Sequence, residues 1–485
     1  MPKRSDVSDG RESGAENCYI ASVRELVRQH FRFFLVATLG ALALRLFFVF
    51  RFPAVVSDSL VYGDIAKNWL QHGIFGISGI NDVSPTFIRL PGYPGFLAVV
   101  FTIFGMEHYR AALVIQVFVD VATCFLVADI ARRMFSHRAA RAAFLLAALC
   151  PFLATYAAAA LTETWEIFFT ALALDLALVG LASEGRNGAW WGCGLAIGGA
   201  ILFRPDGGLL LAAIEFFLLT LLFLRQRRPA GLSSSAIVKA GLVVALAAFA
   251  PLVPWTARNL RTLHEFQPLA PRYANEADDF VPRGFNRWVK TWMANYASVE
   301  EIYWAVPGGP IDVDNLPTRA FDSDDQLDQT EQLLESYNKS LHVTTDLDAR
   351  FAGLAAQRIQ HSPWRYYVWL PVLRVADMWL RPRTEMTGCS TRWWEFDEPP
   401  KWMILGIVMG VLNFAYIGAA LLGLARARLA PALILLVIFV VLRSLFLATL
   451  ENPEPRYTME CYPAVIVLAA GLFQTVIGSA ADSQS

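Results

Sequence analysis

The chain has 485 residues, of which 55% are hydrophobic and only 17% are charged. This composition, with a mean hydropathy of +0.42, excludes an ordinary soluble globular protein and indicates burial in a lipid bilayer. The formal net charge is −1, and the basic residues are scattered between apolar runs, so nucleic acid is excluded as an expected partner.

Residues 1–32 form a basic tail ahead of the first apolar run. Because Lys and Arg accumulate on the cytoplasmic side of membrane proteins, this tail and the later Arg clusters predict which loops lie inside the cell. A bilayer core needs about 20 apolar residues per helix. Between the basic anchors, the sequence predicts ten spans, near residues 33–50, 110–132, 140–158, 165–183, 188–203, 208–224, 236–255, 402–424, 429–450 and 458–478.

Residues 52–108 are predicted to form one long outer loop. The apolar stretch 91–104 within it has only 14 residues, opens with Pro-Gly-Tyr-Pro, and would invert the next basic loop if it crossed the membrane. We therefore expect two interfacial helices here, the first near 59–72.

The remaining organisation follows from composition. An N-terminal membrane module is predicted over 33–255, and an acidic outer insert over 256–400 with an interfacial helix near 364–380. The C-terminal membrane helices fill 401–478, and a Ser-containing tail covers 479–485. The fold class is thus an all-α polytopic membrane protein with about ten transmembrane helices.

Charged residues at the predicted outer ends are the best candidates for a functional site, because charge near lipid is costly unless pairing or function offsets it. Asp58 directly follows the first span, and Tyr62 lies one helical turn later. A helix cap would be an ordinary role for Asp58, and snorkelling ends are an ordinary role for the basic residues. The other candidates at this level are Arg89, Tyr93, Glu163, Arg204, Arg258, Asn259, Arg456 and Tyr457.

The order of these residues resembles glycosyltransferase family 39 of the GT-C superfamily, which includes aminoarabinose transferases and protein O-mannosyltransferases. The resemblance covers roughly the first 260 and the last 90 residues. It is carried by Asp58-x3-Tyr62, Arg89-x-Pro-Gly-Tyr-Pro94, Thr162-Glu163, Arg204-Pro205, Pro254-Trp-x2-Arg-Asn259 and Arg456-Tyr457-x5-Pro463.

This resemblance implies that a sugar is transferred with inversion from a polyprenyl-phosphate donor to a hydroxyl of a glycan, lipid or protein acceptor. It implies a GT-C-like fold in the bacterial inner membrane, with the active site on the extracytoplasmic face. Asp58 takes the position of the general base, and Glu163 matches the acidic position of the second outer loop. The Arg side chains are candidates to bind the donor phosphate, with Arg258 favoured by its depth beside Trp255, and the Tyr side chains are candidates to contact the sugar.

No cofactor follows with certainty from the sequence. Many family members have Glu after the base, whereas Ser59 stands there in this chain, which weakens the case for a divalent metal without removing that alternative. The few His residues lack ligand spacing, so no metal-binding residues are assigned.

Two other functions compete with this interpretation. A secondary transporter would explain charges inside predicted spans, such as Asp120 and Arg443, but the chain lacks the matched broken helices typical of that class. An O-antigen ligase or polymerase would also use a lipid carrier, yet its key residues are expected in a large late loop rather than around Asp58.

Overall fold

The computed structural model describes residues 23–80, 82–182, 188–229, 232–395, 399–427 and 430–474, and helices make up most of them. The predicted fold class, an all-α polytopic membrane protein, is confirmed. Residues 1–22 of the basic tail and the whole C-terminal tail 479–485 lie outside the described residues. The last part of the basic tail forms the helix Val23–Gln29.

Among the described residues, six helices are long and apolar enough to cross a membrane, and a bent pair raises the number to seven. The pair, His137–Ala148 and Pro151–Ala157, bends by 51° where Pro151 cannot continue the backbone hydrogen bonding of the preceding turn. The six are Phe31–Arg51, Tyr109–Met134, Glu163–Ala182, Pro205–Phe223, Ser234–Thr262 and Pro400–Arg426. The chain is therefore a multi-pass membrane protein.

The structure does not confirm the count of ten spans. A helix occupies each predicted position, but three of them are shorter than the ~20 residues that a straight crossing needs. These are Gly188–Phe203 with 16 residues, Pro431–Leu447 with 17 and Tyr462–Ala470 with 9. All residues of Tyr462–Ala470 are buried, so this helix lies at the centre of the bundle.

The stretch between the first two membrane helices contains two helices and a small hairpin. The helices are Ser57–His72 and Gly92–Phe104, at the positions expected for interfacial helices. The hairpin, in which Gly76–Ser78 pairs antiparallel with Val83–Pro85, has no counterpart in the sequence-based prediction. The carboxylate of Asp64 fastens it to the first helix by accepting hydrogen bonds from the backbone N–H and hydroxyl of Ser78, both at 2.7 Å.

The acidic region after Thr262 folds around a hydrophobic core of its own. Trp288, Trp292 and Phe351 lie at its centre and are fully buried. Its α-helices are Arg283–Lys290, Tyr296–Ser298, Asp324–Ser340, Thr345–His361 and Leu370–Leu380, and it also contains the π-helical segments Val299–Tyr303 and Arg365–Trp369. Short 3-10 helices occupy Val313–Asn315 and Thr318–Ala320 here, and Arg225–Arg227, Pro455–Cys461 and Gly471–Phe473 elsewhere.

Asp120 and Arg443, the two charged residues that would suggest a transporter, are paired inside the bundle. Asp120 accepts a hydrogen bond of 2.5 Å from Arg45, whose other nitrogens donate to backbone carbonyls. Arg443 lies 2.9 Å from Asp206 and 2.8 Å from Glu460. Pairing offsets the cost of burying these charges, so their presence does not require a substrate path through the membrane.

Candidate active site

The ends of the membrane helices surround one cavity of about 1130 Å³. Part of its lining comes from the outer loop after the first span, at residues 56–62 and 88–90. Other parts come from the helix ends at 161–163 and 203–209, and from residues 446–457 before the last helix. Seven of the ten candidate residues from the sequence line it: Asp58, Tyr62, Arg89, Glu163, Arg204, Arg456 and Tyr457. Residues from several predicted outer ends therefore lie around one cavity in the structure.

Asp58 lies in the first turn of the helix Ser57–His72, and it is not the helix cap. Val56 is the N-cap residue, and its backbone N–H donates a hydrogen bond of 3.0 Å to the hydroxyl of Ser59. Ser59 is fully buried, which gives this departure from the family pattern a structural role. The carboxylate of Asp58 thus remains directed to the cavity.

Two Arg side chains hold the carboxylate of Asp58. Arg89 donates to it at 2.9 Å, and Arg456 lies 3.6 Å from its other oxygen. Burial alone raises the pKa of Asp58, but the positive charges of Arg456 and Arg89 outweigh burial and hold this pKa below its usual value. Asp58 is therefore ionised at neutral pH.

Arg456 connects both candidate catalytic carboxylates. Its Nη1 lies 3.6 Å from Asp58 and 3.7 Å from Glu163, and its Nε lies 2.6 Å from Glu454. Arg204 approaches the same Glu163 oxygen at 3.4 Å. The second oxygen of Glu163 is buried and has no hydrogen-bond partner among the described residues.

Aromatic rings cover the Arg side chains on the cavity wall. The guanidinium of Arg204 lies 5.0 Å from the ring centre of Tyr457, and that of Arg456 lies 5.5 Å from the same ring. Arg89 lies 5.7 Å from the ring centre of Tyr62. Such contacts position each guanidinium while leaving its N–H donors available for an anion.

A second cluster of carboxylates lies beneath Arg204. Oxygens of Glu166, Asp206 and Glu460 come within 4.8 Å of one another, and this is the group of described residues that could hold a metal ion. Arg204 lies 3.2 Å from Asp206 and 3.6 Å from Glu166, and Arg443 approaches from the other side, so guanidinium groups already supply positive charge there. The sequence-based prediction missed Glu166 and Glu460, although the spacing Glu163-x2-Glu166 places two acids one turn apart.

Three candidate residues do not belong to the cavity lining. Tyr93 is fully buried and donates to the side chain of Gln116 at 2.7 Å. Arg258, expected to bind the donor, instead donates to the backbone carbonyls of Thr86 at 2.7 Å and Phe75 at 2.6 Å. Asn259 accepts a hydrogen bond from Arg258 and donates to the Gln267 carbonyl. In this structure, Arg258 and Asn259 connect the end of their helix to neighbouring loops.

Another part of the cavity lining comes from the region that the motifs do not cover. Its aromatic residues are Tyr273, Tyr296, Tyr303 and Trp304, and Glu300 and Glu385 accompany them. No motif in the sequence distinguishes these residues from the other aromatic and acidic residues nearby. They were therefore missed.

This arrangement can bind an anion and accept a proton in one place. Arg89, Arg204 and Arg456 offer charge-assisted hydrogen bonds to a phosphate, and Asp58 can accept the proton of a hydroxyl. The same Arg groups can stabilise negative charge that develops on a leaving phosphate.

Comparisons with known proteins agree with this chemistry. Residues 88–255 match the family described as dolichyl-phosphate-mannose-protein mannosyltransferase. Comparison of the sequence with curated proteins gives no significant match.

Solved structures share the fold at low sequence identity. The archaeal oligosaccharyltransferase AglB from Archaeoglobus fulgidus, in complex with an inhibitory peptide and a dolichol-phosphate, matches with a TM-score of 0.50 and 14% identity over 91% of this chain and 50% of that chain. ArnT from Cupriavidus metallidurans bound to undecaprenyl phosphate has a TM-score of 0.39 and 14% identity over 92% of this chain and 78% of that chain. The chain thus spans about half the length of the archaeal enzyme. The match over residues 88–255 agrees with the resemblance seen in the motifs, and the archaeal structure shares the fold of this chain.

Proposed function

We propose that the chain transfers a monosaccharide from a polyprenyl-phosphate donor to a hydroxyl of a glycan, lipid or protein acceptor at the extracytoplasmic face of the bacterial inner membrane. The observation that carries this proposal is the meeting of Asp58 and Glu163 with Arg89, Arg204 and Arg456 around one cavity. Basic residues would bind the phosphate, and a carboxylate would activate the acceptor.

In the proposed reaction, Asp58 acts as general base. The acceptor oxygen attacks the anomeric carbon while Asp58 takes the hydroxyl proton, and the bond from that carbon to the phosphate oxygen breaks. The bonding electrons leave with the lipid phosphate, whose charge Arg204 and Arg456 stabilise. Attack opposite the leaving group inverts the anomeric configuration.

The comparisons support a lipid-phosphate donor. The family that matches residues 88–255 is described by its dolichyl-phosphate-mannose substrate, and the archaeal structure of similar fold contains dolichol-phosphate. Arg258 and Asn259 then have a positioning role. The hydrogen bonds of Arg258 hold the first loop against the end of a membrane helix, and that of Asn259 holds the chain at Gln267. Tyr93 supports Tyr62, since the two ring centres lie 5.1 Å apart.

The test is mass spectrometry of lipids, surface glycans and proteins from cells that lack the chain. We expect the loss of one monosaccharide modification, its return with the wild-type chain, and no return with Asp58→Asn at matched expression. Asp64→Asn is the control, since Asp64 lies on the same helix but binds Ser78 rather than lining the cavity. Full restoration by Asp58→Asn would refute the assignment of the base.

A further inference from the structure

The cavity has an aromatic wall, formed by Tyr273, Tyr296, Tyr303 and Trp304. We propose that the acceptor is a saccharide that stacks on this wall and donates a hydroxyl hydrogen bond to Glu385. The inference rests on the proposed function and names the acceptor class for the same cavity. It concerns residues 273–385, which lie outside the matched family segment.

Trp304 leaves a large apolar ring uncovered at the cavity. Its side chain is 46% exposed, whereas Val299 and Ile302 of the same segment are fully buried in the core of the acidic region. The hydrophobic core is therefore within reach of this part of the chain, yet the ring of Trp304 lines the cavity instead. An exposed aromatic ring inside a concave site marks a surface that a ligand covers.

The aromatic wall is held in place by its own contacts. The rings of Tyr296 and Trp304 meet edge to face with centres 5.7 Å apart, and the Tyr296 backbone N–H donates to Asp377 at 3.0 Å. Arg392 donates two hydrogen bonds to Glu301 of the π-helical segment, at 2.6 and 2.7 Å. A platform fixed before binding costs little ordering entropy when a ligand arrives.

Glu385 supplies the polar half of the subsite. It lines the cavity, and its Oε1 is buried without a hydrogen-bond partner in the part of the chain that the structure describes. A buried carboxylate oxygen without a donor is costly, and burial accordingly raises the pKa of Glu385 despite nearby Arg383. A ligand hydroxyl would satisfy this oxygen. Glu300 offers a second, exposed carboxylate on the same side.

A sugar ring matches both features at once. A pyranose presents a flat face of C–H groups, which an aromatic ring attracts through its negative π face, and a rim of hydroxyl donors for carboxylates. A lipid acyl chain would cover Trp304 but leave Glu385 without a donor. A peptide would need an apolar side chain at one fixed position, whereas every pyranose carries its own apolar face.

The test measures binding of the full chain, in lipid nanodiscs, to immobilised oligosaccharides and to immobilised unglycosylated peptides, with no donor present. We expect wild type to bind a subset of the saccharides and no peptide. Trp304→Ala should weaken saccharide binding about tenfold, the upper range for one aromatic contact, and Trp304→Phe should stay within about threefold because it keeps a ring. Glu385→Gln should also weaken binding.

Trp364→Ala is the matched control, because Trp364 is 72% exposed and lies outside the cavity lining. It should bind like wild type, and all variants should keep the wild-type melting temperature. Saccharide binding that is absent in wild type, or unchanged in Trp304→Ala, overturns the proposal. Peptide capture that is lost in Trp304→Ala also overturns it, in favour of a protein acceptor.

The same assay separates this proposal from the proposed reaction. Saccharide binding by a chain without transfer activity would leave the subsite standing and refute the reaction.

Discussion

Arg456 and Arg258 are the same residue type near the ends of membrane segments, and the sequence predicts donor binding for both. The structure gives them different partners. Arg456 lies in the turn before the last helix, lines the cavity, and contacts carboxylates and a Tyr ring. Arg258 lies in Leu252–Thr262, the last helical segment of the span Ser234–Thr262, and donates to two backbone carbonyls.

The kind of partner decides what each Arg can do. A phosphate can replace a carboxylate beside Arg456, because the released carboxylate remains in a polar cavity where other donors are available. Among the described residues, the Thr86 carbonyl has no other hydrogen-bond donor, so its release would leave a backbone group unsatisfied, whereas the Phe75 carbonyl also accepts from the Thr86 N–H at 3.1 Å. Arg456 is thus suited to bind a substrate, and Arg258 to stabilise a loop.

Asp58→Asn should have the largest effect. The amide keeps the size of the side chain but cannot accept the proton, so we expect transfer to fall by about 10²- to 10⁴-fold with little change in melting temperature. The measurement is the initial rate of transfer from a polyprenyl-phosphate sugar in reconstituted membranes. A rate within a few fold of wild type would contradict the role of Asp58.

Arg456→Gln should come next, because it removes the guanidinium that lies near both Asp58 and Glu163. We expect the KM for the donor to rise on the order of 10- to 100-fold, with a smaller change in the KM for the acceptor. Arg456→Lys, which keeps the charge but not the planar fork, should recover part of the loss. An unchanged donor KM in Arg456→Gln would remove Arg456 from the phosphate site.

Arg258→Gln should act mainly on stability. The loss of hydrogen bonds from a charged donor to two carbonyls should lower the free energy of unfolding by about 1.5–3 kcal/mol, visible as a lower melting temperature. The donor KM should change less than in Arg456→Gln. If it instead rises as much, with the melting temperature unchanged, Arg258 binds the donor directly, as the sequence predicts.

Arg89→Gln should produce the smallest effect, a shift in pH dependence. Transfer needs ionised Asp58, so the rate falls as pH drops through the pKa of Asp58, which Arg456 and Arg89 hold low in the wild type. Without Arg89 that pKa rises, and the acid limb of the rate profile moves to higher pH. A profile identical to wild type would show that Arg89 does not control the ionisation of Asp58.

The sequence predicts the membrane fold and much of the site because both depend on local signals. Apolar length, basic loops and the position of Asp58 after the first helix can all be read from neighbouring residues. The partners of a side chain cannot be read in this way, since Arg258 donates to residues 75 and 86, which flank the short hairpin and lie more than 170 positions earlier in the sequence. The aromatic wall was missed for the same reason. Trp304 lines the cavity together with residues that are distant in the sequence, and no local pattern indicates that contact.

The bridge that Arg456 makes between Asp58 and Glu163 has a consequence for the order of events. Before a donor binds, Arg456 is the counter-ion of Asp58 and Glu163, so the carboxylate of Asp58 is held by an ion pair. A lipid phosphate that attracts Arg456 would release Asp58 as it binds, so the site would gain its reactivity together with its donor. This coupling would favour an order of binding in which the donor enters before the acceptor. Asp58 would then rarely activate an acceptor hydroxyl while no donor sugar is bound.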